Sequence, residues 1–426
     1  MAPAIQLRLG LTADDFSSPD RGGVLSFSLE GDSINKHVRR RSGSLAKSSV
    51  RRTAFSGDLA ADFDLSWLRS IITPGGVATG APLRVADLFA GAGAMSLGLL
   101  EACRALQIPV SFEFSAELDS AKADVYSRNL APTHVLTGAL EQVLNGDLGA
   151  LPTRQERELI AKLGRIDVLL GGPPCQGHSD LNNHTRRNDI RNGLVTRMAR
   201  FAELFTPEFV VVENVQGVRH DRLQSASATA TQLRLLGYNV EEIIVDCALL
   251  GVPQTRRRYM LVASLSKPHD VGHSLAEMAR PHRPTGWAIE DLLEMSVSDV
   301  FNTEAIHAPE NERRIKFLFE NDLYDLPDSE RPNCHRTKNH SYKSVYGRMR
   351  WDQPSQTITT GFGSTGQGRF VHPLRPRTLT PHEAARLQTI PDFFKFGEPG
   401  RTQLQKMIGN SVPPLAMAAV ATQLLR

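Results

Sequence analysis

The chain reads as an α/β protein built on a largely parallel sheet. Short apolar runs recur between residues 83 and 264, and segments of helical period separate them. A glycine-rich turn follows the first run. The strands are expected at 83–89, 112–117, 167–172, 209–213, 240–245 and 259–264. Helices are expected at 95–106, 155–163, 194–205 and 223–236, with a helical finish at 413–426. Near-continuous apolar strands imply a sheet covered on both faces. Ligands in such sheets sit beyond the carboxyl ends of the strands. Several unusual sequences fall there.

A chain of 426 residues that is 41% hydrophobic and 22% charged can bury a sizeable core. It holds no apolar run near the ~20 residues of a membrane span. Its first residues lack the features of a signal peptide. The net charge of +3 gives no global field for a polyanion, so such a site needs local clustering. Cys103, Cys175, Cys247 and Cys334 form no C-x-x-C pair, which argues against a zinc finger or a disulfide framework. Residues 1–80 read as a polar N-terminal extension. Its basic stretch at 36–52 contains Lys36, Arg39, Arg40, Arg41, Lys47, Arg51 and Arg52. It reads first as a solvated, partly disordered leader and second as a DNA-backbone arm. A short helix is expected at 64–72. Residues 81–265 carry the α/β pattern. Residues 266–345, acidic and then basic and aromatic, read as an inserted module. Residues 346–426 return to the first body.

Four places carry chemistry. In Asp87-Leu88-Phe89-Ala90-Gly91-Ala92-Gly93, small residues let backbone approach a ligand between a strand and a helix. Ser96 replaces the third glycine of a dinucleotide fingerprint, which argues against a pyrophosphate cofactor. Glu117 closes the second strand, where a carboxylate suits ribose hydroxyls or simply ends a strand at the surface. Gly171-Gly172-Pro173-Pro174-Cys175-Gln176-Gly177-His178-Ser179 follows the third strand, and its prolines fix the backbone before the thiol. A nucleophilic thiol needs a defined direction and access. A structural cysteine would more naturally lie inside a strand. Glu213 ends a buried strand, so desolvation should raise its pKa toward neutrality; a helix-capping acid is the alternative. In Gln254-Thr255-Arg256-Arg257-Arg258, alternate residues share a face. Arg256 and Arg258 converging there suggest an anionic or carbonyl-bearing ligand.

In this order the four motifs resemble those of the DNA cytosine-5 methyltransferases. The resemblance continues through Tyr346-Gly347-Arg348-Met349-Arg350-Trp351-Asp352-Gln353-Pro354-Ser355-Gln356-Thr357-Ile358-Thr359. It ends with Glu383-Ala384-Ala385-Arg386-Leu387-Gln388 and Ile408-Gly409-Asn410-Ser411-Val412-Pro413-Pro414. It implies a Rossmann-like methyltransferase sheet dependent on S-adenosyl-L-methionine, with a small inserted target recognition domain. It implies a cofactor lying against Asp87, Phe89, Ala90, Gly91 and Gly93, with Phe89 on the adenine and Glu117 on the ribose. Leu140, Pro174, Asn410 and Ser411 would complete that pocket. It implies a flipped cytosine, attack by Cys175, charge stabilisation by Glu213, and Arg258 on the base carbonyl with Arg256 in support. Ser179, Arg186 and Arg187 fall in a segment resembling the family's loop that closes on DNA. Arg336, Lys338 and Arg348 are the DNA contacts expected beyond it. Double-stranded DNA, a monomer and a bacterial or phage-encoded cytoplasmic enzyme follow from the resemblance. A cognate restriction endonuclease or solitary action both stay open. One position departs from the family pattern: Ala139 stands where an acid is usual. RNA methylation, an inactive DNA-binding homologue and a nicotinamide oxidoreductase are the competing readings.

Overall fold

The computed structural model describes residues 23–76, 78–174, 194, 196–217, 225–266, 270–295, 297–333 and 344–426. Cys175, Ser179, Arg186, Arg187, Arg336 and Lys338 lie outside the described residues.

The expected leader is a folded module. β1 (Leu25–Glu30), β2 (Ser33–Arg39) and β3 (Leu45–Arg51) form an antiparallel sheet, and α1 (Leu59–Leu68) packs beside it. This corrects the disordered-leader reading for residues 23–76. The inward positions of β3 are Ala46, Ser48 and Val50, and β2 turns Lys36 inward over the Phe63 ring. Small and polar inward residues hide the alternation that marks a strand. One local signal was present: Gly31-Asp32 is a two-residue hairpin turn with Gly31 at φ 56°. The basic residues serve as fasteners. Arg40 donates to the Leu106 carbonyl, Arg41 to the Gln423 carbonyl, and Arg52 pairs with Asp62 at 2.8 Å. The helix expected at 64–72 begins earlier, because Asp58 caps it, and residues 70–72 leave it. Asp64, almost fully buried, binds Arg280 and, at 2.7 Å, Arg283, which ties the module to the body.

The body is built on β4 (Leu83–Leu88), β5 (Val110–Glu117), β6 (His134–Thr137), β7 (Val168–Gly171), β8 (Phe209–Asn214), β9 (Asn239–Asp246) and β11 (Arg257–Ser264). Their order is β6-β5-β4-β7-β8-β11-β9. β11 alone runs against the others. A two-stranded ribbon pairs β10 (Gln254–Thr255) with β12 (Ser355–Gln356). α2 (Ala94–Leu106), α3 (Ser120–Leu130) and α12 (Pro414–Leu425) cover one face; α4 (Arg154–Leu163), α5 (Thr196–Phe205) and α6 (Ser225–Leu235) cover the other. Val210, Val211 and Val212 are buried between these layers. Each such side chain contributes about 1.5–3 kcal/mol by leaving water.

The expected inserted module divides in two. Val271, Leu275, Ala288 and Ile289, on α7 (Val271–Ala276) and α8 (Thr285–Ile289), join the main core. A separate small core gathers Ile315 and Leu318 of α9 (Pro309–Glu320) with Leu326, Val345, Tyr346 and Val371. Asp291, from the acidic half, pairs with Arg386 of α10 (Pro381–Leu387) at 3.1 Å. Among the described residues no helix is long and apolar enough to cross a membrane.

Candidate active site

Sheet order brings the chemistry to one edge. β5, β4, β7 and β8 are parallel neighbours, so Glu117, the turn after Leu88, the Gly172–Pro174 segment and Glu213 lie side by side at their carboxyl ends. Because β11 is reversed, its first residues reach the same edge, and Tyr259 lies opposite Asn214. Three strand spacings separate Glu117 from Glu213, about 14 Å across the sheet.

The first half of the edge is the glycine turn. Phe89 adopts φ 58°, a left-handed conformation that is uncommon and costly outside glycine. Gly93 has φ 95°, and a Cβ there would come 2.8 Å from the Leu130 side chain. A Cβ on Gly91 would meet nothing within 4 Å, so that side of the turn is open. The Gly91 N–H donates to Glu117 at 2.9 Å, and the Asp119 N–H donates to the other Glu117 oxygen at 3.0 Å. Glu117 is thereby aimed along the turn. An open, backbone-lined cradle beside a fixed carboxylate fits a nucleoside with ribose hydroxyls. Ala90 is anchored through its N–H to the Ala116 carbonyl, and exposed Asn410 ends α11 (Arg401–Gly409). Ala139 is exposed at the start of a single 3-10 turn, and its neighbour Leu140 is buried in the core.

Asp87, expected at the cofactor, is buried next to the turn. It is 1% exposed and sits behind the turn, where it accepts from Ser96 at 2.6 Å while Ser96 and the Tyr126 hydroxyl lie 2.9 Å apart. Ser96, which breaks the dinucleotide fingerprint, therefore has a partner of its own. Burial pushes the Asp87 carboxyl up to about 7. A folded-state pKa above the ordinary carboxyl value of 3.8 contributes stability below about pH 4 that is lost as pH rises through about 7. Asp87→Asn is expected to flatten that fall, which can reach about 1.4 kcal/mol per pH unit, in denaturation series between pH 4 and 7.5.

The second half of the edge centres on Glu213. Arg258 Nε meets its carboxylate at 2.8 Å, with both side chains 13% exposed. Burial raises the Glu213 pKa against the lowering pull of Arg258 and Arg256. A Cβ on Gly172 would lie 3.7 Å from the Glu213 carboxylate, and the Asn214 amide donates to the Pro173 carbonyl at 3.4 Å. The segment leading to Cys175, with Pro174 half-buried, thus departs beside Glu213. Burial pushes the Cys103 and Cys247 thiols up to about 12, where they are inert.

Gln254 and Arg256 share a buried face, as alternation predicts, while Arg258 makes the direct pair with Glu213. Arg256 is 1% exposed and donates to the carbonyls of Ile358 and Ser411 at 2.9 Å and of Gly409 at 3.4 Å. Gln254 donates to Gln388 and the Leu387 carbonyl and accepts from the Ile358 N–H. Gln388 in turn donates to the Ile408 carbonyl at 2.7 Å. These amides bind the ribbon strand to the two C-terminal motifs, and sequence reading did not foresee that role. The Ser411 hydroxyl, just past α11, donates to the Met407 carbonyl of that helix at 2.7 Å. Arg348, expected at DNA, is 9% exposed. It donates to Pro373 and Asp322 and lies over the Phe319 and Tyr324 rings. Placing those rings beside it makes it a strut of the small core.

A seven-stranded sheet with one reversed strand, a glycine cradle beside Glu117 and a buried acid–arginine pair defines a Rossmann-like, S-adenosyl-L-methionine-dependent methyltransferase. The model of the C-5 cytosine-specific DNA methylase family matches residues 83–426, and the chain belongs to that family. It is a DNA (cytosine-5-)-methyltransferase. It is 48% identical over 407 residues to the Type II methyltransferase M1.BsuMI of Bacillus subtilis, covering 95% of each chain. It is 31% identical to the Type II methyltransferase M1.HphI of Haemophilus parahaemolyticus, covering 80% of this chain and 86% of that one. Among solved structures, the Entamoeba histolytica methyltransferase EhMeth shares the fold at a TM-score of 0.53 and 17% identity, over 81% of this chain and 98% of that one.

Proposed function

We propose that the chain methylates a defined duplex sequence through a covalent adduct between Cys175 and cytosine. The Glu213–Arg258 pair, beside the strand end from which the Cys175 segment departs, carries this reading. A stacked base is out of reach, so the cytosine is flipped at a cost of a few kcal/mol. The Cys175 thiolate adds to C6. Glu213, with its pKa raised by burial, delivers a proton to N3 as negative charge develops there. Arg258 orients Glu213 and holds the base carbonyl. Arg256 supports the pair from below through the C-terminal motifs. S-adenosylmethionine supplies the methyl group that the electron-rich C5 accepts. Water acting as base then takes the C5 proton, the thiolate is expelled as the C5–C6 double bond re-forms, and N3 returns its proton to Glu213, which restores the free enzyme.

Phe89, Gly91, Gly93, Glu117, Pro174 and the Asn410–Ser411 segment form the cofactor pocket in this reading. Ser179, Arg186 and Arg187 close on the duplex, while Arg336 and Lys338 contact it from the inserted segment. The relatives' names support a Type II setting, with a cognate endonuclease as the partner activity. The enzyme acts as a monomer in the cytoplasm, where its double-stranded substrate lies. Incubating the purified protein with unmethylated genomic DNA and S-adenosylmethionine, followed by base-resolution mapping, tests the proposal. A single short motif is expected to carry 5-methylcytosine. Folded protein that leaves DNA unmethylated, or modifies only RNA, overturns it.

A further inference from the structure

Residues 410–413 join α11 to α12 and include Asn410 and Ser411 of the cofactor pocket proposed above. A helix leaves its last carbonyls and its first N–H groups without partners of its own. Two consecutive residues from elsewhere in the chain supply partners on both sides of this segment. The Gln388 amide donates to the Ile408 carbonyl at 2.7 Å, at the end of α11. The Leu415 N–H, in the first turn of α12, donates to the Thr389 hydroxyl at 3.3 Å. Gln388 and Thr389 are both 0% exposed. Their own backbone N–H groups donate to the Ala384 and Arg386 carbonyls, which anchors the pair to the end of α10.

The backbone between them is strained. Thr389 adopts φ 58°, a left-handed conformation that is an outlier for a β-branched residue. Such residues persist only where their surroundings over-determine them, and they gather at active sites and ligand clamps. At Thr389 the strained turn gives α10 a second hold on the same segment. Gln388 also accepts from the Gln254 amide at 2.9 Å, two residues before Arg256 and four before Arg258. One amide thus references the segment after α11 to the strand that carries the Glu213 partner. We propose that Gln388 and Thr389 are positioning residues for the cofactor. They cap the two helix ends that flank Asn410 and Ser411 and so fix that segment against the nucleoside. Both are fully buried, so they act through the segment and not on the cofactor itself. The proposal rests on the pocket reading given above.

The test is calorimetric titration of the full chain with S-adenosylhomocysteine. Gln388→Met and Thr389→Ala are each expected to weaken binding about tenfold, the scale of one lost hydrogen bond. Thr389→Ser keeps the hydroxyl and is expected to bind within about twofold of the wild type. Tyr238→Phe controls for general loosening. It removes a buried bond, from the Tyr238 hydroxyl to the Pro207 carbonyl at 2.6 Å, in the core on the other face of the sheet. Its affinity is expected to match the wild type. With cofactor saturating, methyl transfer by Thr389→Ala is expected to stay within about twofold of the wild type, a change in KM without one in kcat. Wild-type affinity in Gln388→Met or in Thr389→Ala overturns the proposal, and so does an equal loss in Tyr238→Phe. Asn410→Ala separates the proposal from the reading beneath it. If Asn410→Ala weakens binding and Thr389→Ala does not, only the positioning role fails. If none of these variants weakens binding, the pocket reading fails with it. Thr389→Ala against Thr389→Ser decides the question even if Gln388→Met fails to fold.

Discussion

Cys175→Ala is expected to abolish methyl transfer while leaving the melting temperature within about 1 °C of the wild type. The proposed route passes through a bond from sulfur to C6. Without it, C5 of cytosine stays too electron-poor to accept a methyl group. Removing the nucleophile from a site whose residues act as a unit lowers turnover by more than about 10⁴. Glu213 and Arg258 remain paired in the variant, so DNA and cofactor binding should persist. The measurement is single-turnover transfer of labelled methyl groups to duplex DNA, with filter binding as the control. Cys247→Ala, at an inert buried thiol, should retain the wild-type chemical step. Substantial activity in Cys175→Ala would remove the covalent adduct from the mechanism.

Arg256→Met is expected to destabilise the fold by about 3–5 kcal/mol, the scale for losing one partner of a buried charged network. Its guanidinium serves the Ile358, Gly409 and Ser411 carbonyls together, and none of the three can turn to water. The end of α11 cannot move inward to compensate. A Cβ on Gly409 would lie 2.3 Å from the Thr360 nitrogen, so that contact is already closed. Arg256→Lys should recover little, because one ammonium does not reproduce the fork. Arg257→Met is the control: Arg257 is exposed, and its pair with Asp246 is worth about 1 kcal/mol at most. Chemical denaturation of the three variants reads the difference. A small loss in Arg256→Met would mean that the C-terminal motifs are held by packing alone.

The elements with strong local signals were legible. Leu83–Leu88, Val168–Gly171 and Phe209–Asn214 are apolar runs, and α2 and α12 follow a helical period or carry an apolar mass that only burial satisfies. The site was legible for the same reason. Its residues sit at strand ends, where a glycine, proline or carboxylate interrupts an apolar run. The N-terminal sheet was not legible, because Lys36 and Asn35 are buried in it and their cost is offset by partners elsewhere in the chain. Lys36 finds the Phe63 ring, and Asn35 finds Ser49 and Glu30.

Arg256 and Arg258 of the Gln254–Arg258 motif mark the boundary between local and tertiary information. Sequence by itself determined the α/β class, the residue types at the sheet edge and the family those types resemble, because each is carried by neighbours along the chain. Only the tertiary structure separated Arg256 from Arg258. One meets three carbonyls from residues 358–411 and the other meets Glu213 across a strand pair. Arg348 was decided in the same way, by two aromatic rings that close over it. A side chain's type is written locally, but its partner depends on which distant backbone groups lack hydrogen bonds, and only the folded chain brings those groups together.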